Sequence, residues 1–137
     1  KNILNARDLD PDVDFFEASI LDSGLPDNSC DYLFLHDLLG HLSPDGFELA
    51  IREIMRITRV EAWLHCFNVA DISHHEINPF LTYFRNRLSI SRVAASLEAA
   101  GASVRFVPLS GLLERKLGYV PEYTATCGTF IARKNGA

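Results

Sequence analysis

The chain has 137 residues, 47% hydrophobic and 23% charged, with a net charge of −5. That size and balance suit one soluble globular domain, which buries roughly two-thirds of its unfolded surface. The acidic balance disfavours nucleic acid or an anionic membrane as partner, since phosphate binding needs a concentrated basic face. No apolar run nears the ~20 residues of a membrane span.

Residues 1–8 (KNILNARD) are predicted to be the last turns of a helix, broken at Asp10-Pro11-Asp12 because proline cannot continue one. Val13 to Phe16 is a short predicted strand, followed by turn signals at Ser23-Gly24 and Pro26-Asp27-Asn28. Tyr32-Leu33-Phe34-Leu35 is continuously apolar, as expected of a strand covered on both faces. Ser43-Pro44-Asp45 is a helix start: the serine can cap, proline is preorganised for the first turn, and aspartate favours the positive end of the dipole. Phe47, Ala50, Ile51, Ile54 and Met55 then form one apolar stripe. Arg52, Arg56 and Arg59, with Glu48 and Glu53 nearby, read as its solvated face.

Ala62 to Phe67 is the next predicted strand, and residues 68–88 are polar, aromatic and irregular. A second amphipathic helix carries Ile90, Val93, Ala94 and Leu97 on one face, capped by Ser89 or Ser91 and ended by Gly101. Val104–Val107 and Thr124–Ala132 are the last two strands, with no full helix pattern between them. The alternation argues an α/β sheet, parallel at first, whose last pair is antiparallel. Cys30, Cys66 and Cys127 are odd in number and beside apolar runs, so reduced thiols in a cytoplasmic protein are expected.

The order of these pieces resembles the later part of a class I S-adenosylmethionine (SAM)-dependent methyltransferase domain. ASILDSGLPDNSCDYLF is similar to that family's passage from its third to its fourth strand, LLGHL to the segment after the fourth, REIMRITR to the next helix, and LEAAGASV to the entry to strand six. Three departures stand out. Thr58-Arg59-Val60-Glu61 replaces a proline-glycine-glycine turn, Ser19 stands where an acidic residue meets adenine, and Cys30 replaces an aromatic residue. The acidic-x-Gly-x-Gly turn that lets backbone approach SAM does not occur in the sequence.

The resemblance implies a Rossmann-like doubly wound sheet without its N-terminal strands, and one partial domain over residues 1–137. In the family's strand order, 3-2-1-4-5-7-6, Val13–Phe16 and Tyr32–Leu35 would be separated by two absent strands. Their open edges would leave backbone groups unpaired. The natural protein is therefore expected to be longer at its N-terminus, unless the two strands pair directly or a second chain, as in a homodimer, fills the gap. The opening Lys1 also suggests processing or trimming.

The implied function is methyl transfer from SAM to a small-molecule acceptor. Adenine is expected near Ser19 and Ile20, the methionine part near His36, with Asp37 and His41 alongside, and the acceptor under residues 68–88. Asp37, His74 and His75 are the candidate proton-handling groups, because an imidazole titrates near working pH. Tyr83, Phe84 and Arg85 are candidate acceptor-pocket residues. A metal-dependent variant would call on Asp37, Asn68 and Asp71, but that spacing is not diagnostic and no metal is expected. A hydrolase lacks its Gly-x-Ser-x-Gly elbow. The alternatives are a non-catalytic methyltransferase-like module for dimerisation or partner binding, and a response-regulator type of fold, for which Asp10 and Asp12 are poorly placed.

Overall fold

The computed structural model describes residues 2–118 and 126–137. Helix α1 (Asn2–Leu9) leads into an extended segment and a turn, and strand β1 (Cys30–His36) follows. After a 3-10 turn (Leu39–His41) come helix α2 (Pro44–Ile57) and strand β2 (Thr58–Cys66). Four two-residue strands occupy the irregular middle: β3 (Val69–Ala70), β4 (Pro79–Phe80), β5 (Tyr83–Phe84) and β6 (Leu88–Ser89). Helix α3 (Ile90–Ala99), strand β7 (Ala102–Pro108), helix α4 (Leu109–Leu117) and strand β8 (Gly128–Lys134) complete the chain.

The main sheet has the order β1-β2-β8-β7. β1 and β2 are parallel, with Phe34 opposite Trp63 and His36 opposite His65. β8 runs antiparallel to both β2 and β7. This matches the 4-5-7-6 half of the expected sheet, with the antiparallel last pair. Thr124 and Ala125, the expected start of the last strand, lie outside the described residues; the strand described begins at Gly128.

The capping chemistry works as the sequence indicates. Ser43 Oγ accepts from Gly46 N at 3.1 Å, and Pro44 opens α2. Ser89, rather than Ser91, caps α3, its Oγ accepting from Arg92 N. Gly101 closes α3 at φ 92°, a left-handed conformation that favours glycine. The stripe Phe47, Ala50, Ile51, Ile54 and Met55 is buried against Ala62, Leu64, Phe130 and Ala132 of the sheet and Val93 and Leu97 of α3.

Four expectations are corrected. Val13–Phe16 is not a strand: it pairs with no strand among the described residues, and Val13 and Phe16 are exposed. An apolar run becomes a strand only where an edge takes its backbone hydrogen bonds. β1 is not covered on both faces. Leu33 and Leu35 pack on the core, whereas Tyr32 and Phe34 are 72% and 65% exposed. The strand expected at Ala62–Phe67 starts earlier: Thr58 leaves α2 already extended, and β2 runs from there to Cys66. Finally, α4 occupies the interval between the last two strands, where Leu109, Leu112, Leu113 and Leu117 give a helix pattern too short to have been read as one.

Candidate functional site

The parallel pair β1 and β2 ends at His36 and Cys66, and side chains gather just beyond. In a doubly wound sheet this carboxyl end is where ligands bind, because diverging loops leave a crevice there. Asp37 N donates to His65 O at 2.8 Å, carrying the parallel ladder one residue past β1. The chain then turns sharply, with Asp37 at φ 48°, a conformation that aspartate tolerates better than most residues. Asp37 Oδ1 accepts from Phe67 N at 3.3 Å, so the carboxylate joins the ends of both strands.

His41, on the 3-10 turn, completes a short relay. Its Nδ1 lies 2.9 Å from Phe84 O. A carbonyl only accepts, so Nδ1 carries the hydrogen. Nε2 faces Asp37 Oδ2 at 3.5 Å and is the nitrogen left to exchange a proton. The His41 and Asp37 side chains are 41% and 32% exposed, so the pair is reachable.

A cavity of about 320 Å³ opens beside them. Asp37, His41, Asn68 and Arg85 give it polar walls, and Cys66, Phe67 and Leu88 an apolar one. Burial, with the Asp37 charge adding, pushes the Cys66 thiol up to about 12. Cys66 therefore stays protonated and contributes packing rather than nucleophilic chemistry. Asn86 holds the cavity together and carried no signal in the sequence. It is buried, its Nδ2 donates to Leu42 O at 2.8 Å, its Oδ1 accepts from Asn78 N at 3.0 Å, and its backbone N–H donates to Gly40 O. One side chain thus ties residues 68–88 to the turn that carries His41.

The structure brings Asp37, His41 and Arg85 together, but not every expected site residue. His36 lies on the uncovered face of the sheet, its ring stacked on that of His65 at 5.2 Å and edge-on to Phe67. Burial, and next the neighbouring His36, lower the His65 pKa. Ser19 Oγ already accepts from Leu21 N at 3.2 Å, leaving its O–H to donate, and Ile20 packs on the core edge. Asn68 lines the cavity, whereas Asp71 does not.

His74 and His75 lie elsewhere. Together with Glu48, Arg92 and Ser96 they line a second depression that shares no residue with the Asp37 cavity. His75 Nδ1 accepts from Ser89 N at 2.9 Å, and its ring packs on Phe47. Burial lowers its pKa, partly offset by Glu48, which suits a neutral imidazole used as an acceptor. His74 meets Ser73 Oγ and the Arg92 guanidinium.

Comparison with known proteins agrees with this geometry at the level of fold. A family model described as a methyltransferase domain matches residues 1–66. The structure resembles a Burkholderia thailandensis 1,6-didemethyltoxoflavin-N1-methyltransferase solved with 1,6-didemethyltoxoflavin and S-adenosylhomocysteine bound (TM-score 0.67, 15% identity, 96% of this chain and 55% of that one). It also resembles the [4+2]-cyclase SpnF (TM-score 0.64, 20% identity, 97% and 60%) and a SAM-dependent methyltransferase from Mesorhizobium loti (TM-score 0.70, 11% identity, 96% and 75%). The chain thus spans less than two-thirds of the length of the first two. No curated protein sequence matches it.

Proposed function

We propose that this chain belongs to the class I SAM-dependent methyltransferase family and is the later part of an enzyme that methylates a small molecule; a methyltransferase-domain model matches residues 1–66, and SAM-dependent methyltransferases share its fold. The observation carrying the proposal is the convergence of Asp37, His41, Asn68 and Arg85 on one cavity at the carboxyl end of β1 and β2. A likeness to a protein solved with a small acceptor and S-adenosylhomocysteine supports both halves of the reading.

The residues present suit part of the cofactor. Ser19 offers a hydroxyl donor and Ile20 an aliphatic surface for adenine, while Asp37 would border the methionine end. SAM held there would supply an electrophilic methyl group with a neutral thioether as its leaving group. The chain's own work is alignment and removal of one proton. Phe84 O fixes the His41 tautomer so that Nε2 can take the acceptor's proton, and the Asp37 carboxylate steadies the resulting imidazolium. His75, which spends Nδ1 on Ser89 N, is then a capping and packing residue. Cytoplasmic location fits an odd number of cysteines; among the described residues no helix is long and apolar enough to cross a membrane.

Replacing His41 by Gln tests the assignment. Turnover of the gene-encoded protein is expected to fall by about 10²–10⁴-fold, the usual worth of a positioned base, with SAM affinity little changed. Unchanged turnover would remove His41 from the mechanism.

A second reading is a non-catalytic module that binds a partner. The uncovered sheet face with Tyr32, Phe34 and Trp63 favours it, as does the resemblance to a Haloferax volcanii putative methyltransferase solved in complex with the Trm112 methyltransferase activator.

A further inference from the structure

We infer that the acceptor taken by the Asp37 cavity is a small organic acid, gripped at its carboxylate by Arg85. This rests on the reading that the cavity holds the acceptor, and it goes further by naming the acceptor's chemistry.

Arg85 is built into the cavity wall more firmly than an exposed arginine needs to be. Strands β4 and β5 form a tight hairpin, Pro79 opposite Phe84 and Phe80 opposite Tyr83, and Arg85 follows directly. Its backbone N–H donates to Asn78 O at 2.8 Å. Its guanidinium carbon lies 3.9 Å from the centre of the Phe80 ring, and its Nε donates to Tyr83 Oη at 3.2 Å. One face of the guanidinium and one of its nitrogens are thereby fixed. The terminal Nη groups have no hydrogen-bond acceptor, and no carboxylate pairs with them, among the described residues. Arg87, two residues on, is paired with Glu76, so the segment does supply carboxylates where an arginine has only a structural task.

A planar, restrained guanidinium with two open donors is the arrangement that binds a carboxylate in bidentate fashion. Restraint matters because the side-chain entropy is spent before the ligand arrives. The rest of the lining sets the orientation of the acid. Asp37 repels an anion from its own part of the cavity, so the carboxylate goes to Arg85 and the nucleophilic hydroxyl or amine to the His41 end. Phe67, Cys66 and Leu88 supply an apolar wall suited to a ring or short carbon skeleton. The protein's charge of −5 repels acids at long range, so selection for one must come from such a local cation.

The test is a calorimetric titration of the gene-encoded protein, with and without saturating S-adenosylhomocysteine, using 4-hydroxybenzoate and its neutral analogue 4-hydroxybenzamide as probes. Wild type is expected to bind the acid at least about tenfold more tightly than the amide, the least that a charge-assisted pair gives. Arg85→Gln should erase that preference, and Arg85→Lys should keep part of it, because the charge remains while the fork is lost. Equal affinity of wild type for the two probes overturns the inference. So does a preference that survives Arg85→Gln, or no binding of either probe. Failure to bind S-adenosylhomocysteine, with the acid preference intact, would sink the methyl-transfer reading and leave the anion site standing.

Discussion

At the scale of single residues, Glu53 has the most to say about stability. It is buried on α2, yet it is fully engaged: Arg56 donates to both of its oxygens, at 2.7 and 2.8 Å, and Ser23 donates through its backbone N–H and its hydroxyl. Arg56 in turn reaches Asp27 and Leu25 O, so one guanidinium fastens the turn before β1 to α2. The sequence showed Arg56 as part of a solvated face. The contact that makes it structural joins residues about thirty positions apart, which no local pattern displays. The Arg56 hydrogen bonds, against the cost of burial, hold the Glu53 carboxyl at about 2, below its ordinary 4.5. A depressed carboxylate stabilises the fold fully above its unfolded value and loses that contribution as pH falls through the folded one. Glu53→Gln should therefore cost about 1–3 kcal/mol at pH 7. The gap in melting temperature from wild type should close between pH 4.5 and 2. Parallel melting curves across that range check it, and a gap that stays constant would show that the charge of Glu53 is not what matters.

At the scale of elements, a tightly constrained contact lies where β8 meets β7. Gly128 stands opposite Pro108, and a Cβ placed on it would lie 2.2 Å from Phe106 Cζ and 3.1 Å from Val107 O. The Phe106 ring packs at 4.8 Å on Phe130, which is fully buried, so it has little room to move. Gly128→Ala is expected to destabilise the protein by about 1–3 kcal/mol through overpacking, read as a lower urea midpoint with an unchanged slope. A neutral result would mean that Phe106 swings aside freely. Elements were legible where local chemistry sets them, as in the Ser43 cap, the α2 stripe and the Gly101 stop. They were not legible where pairing decides. Val13–Phe16 has strand composition but no edge to pair with. Val69–Ala70 and Leu88–Ser89 are strands only because they meet each other. The site followed the same division. Asp37 and Arg85 were visible from their places in the chain. The Asp37–His41 relay and the Asn86 tie depend on loops meeting in space, and His74 and His75 stood out in sequence only as a pair.

At the scale of the molecule, the sheet is covered on one side by α2 and α3, while β1 lies at its edge and displays Tyr32, Phe34 and His36 beside Trp63 and His65 of β2. Exposed aromatics along an edge that pairs with no further strand among the described residues invite a further layer of polypeptide. The central claim is that the carboxyl end of β1 and β2 is a cofactor and acceptor site, and it predicts binding that depends on Asp37. The most direct measurement is the affinity of the gene-encoded protein for S-adenosylhomocysteine, wild type beside Asp37→Ala. The account predicts saturable binding that Asp37→Ala weakens by about tenfold or more, the worth of one charge-assisted contact. No binding by wild type, or equal binding by the two proteins, would contradict it.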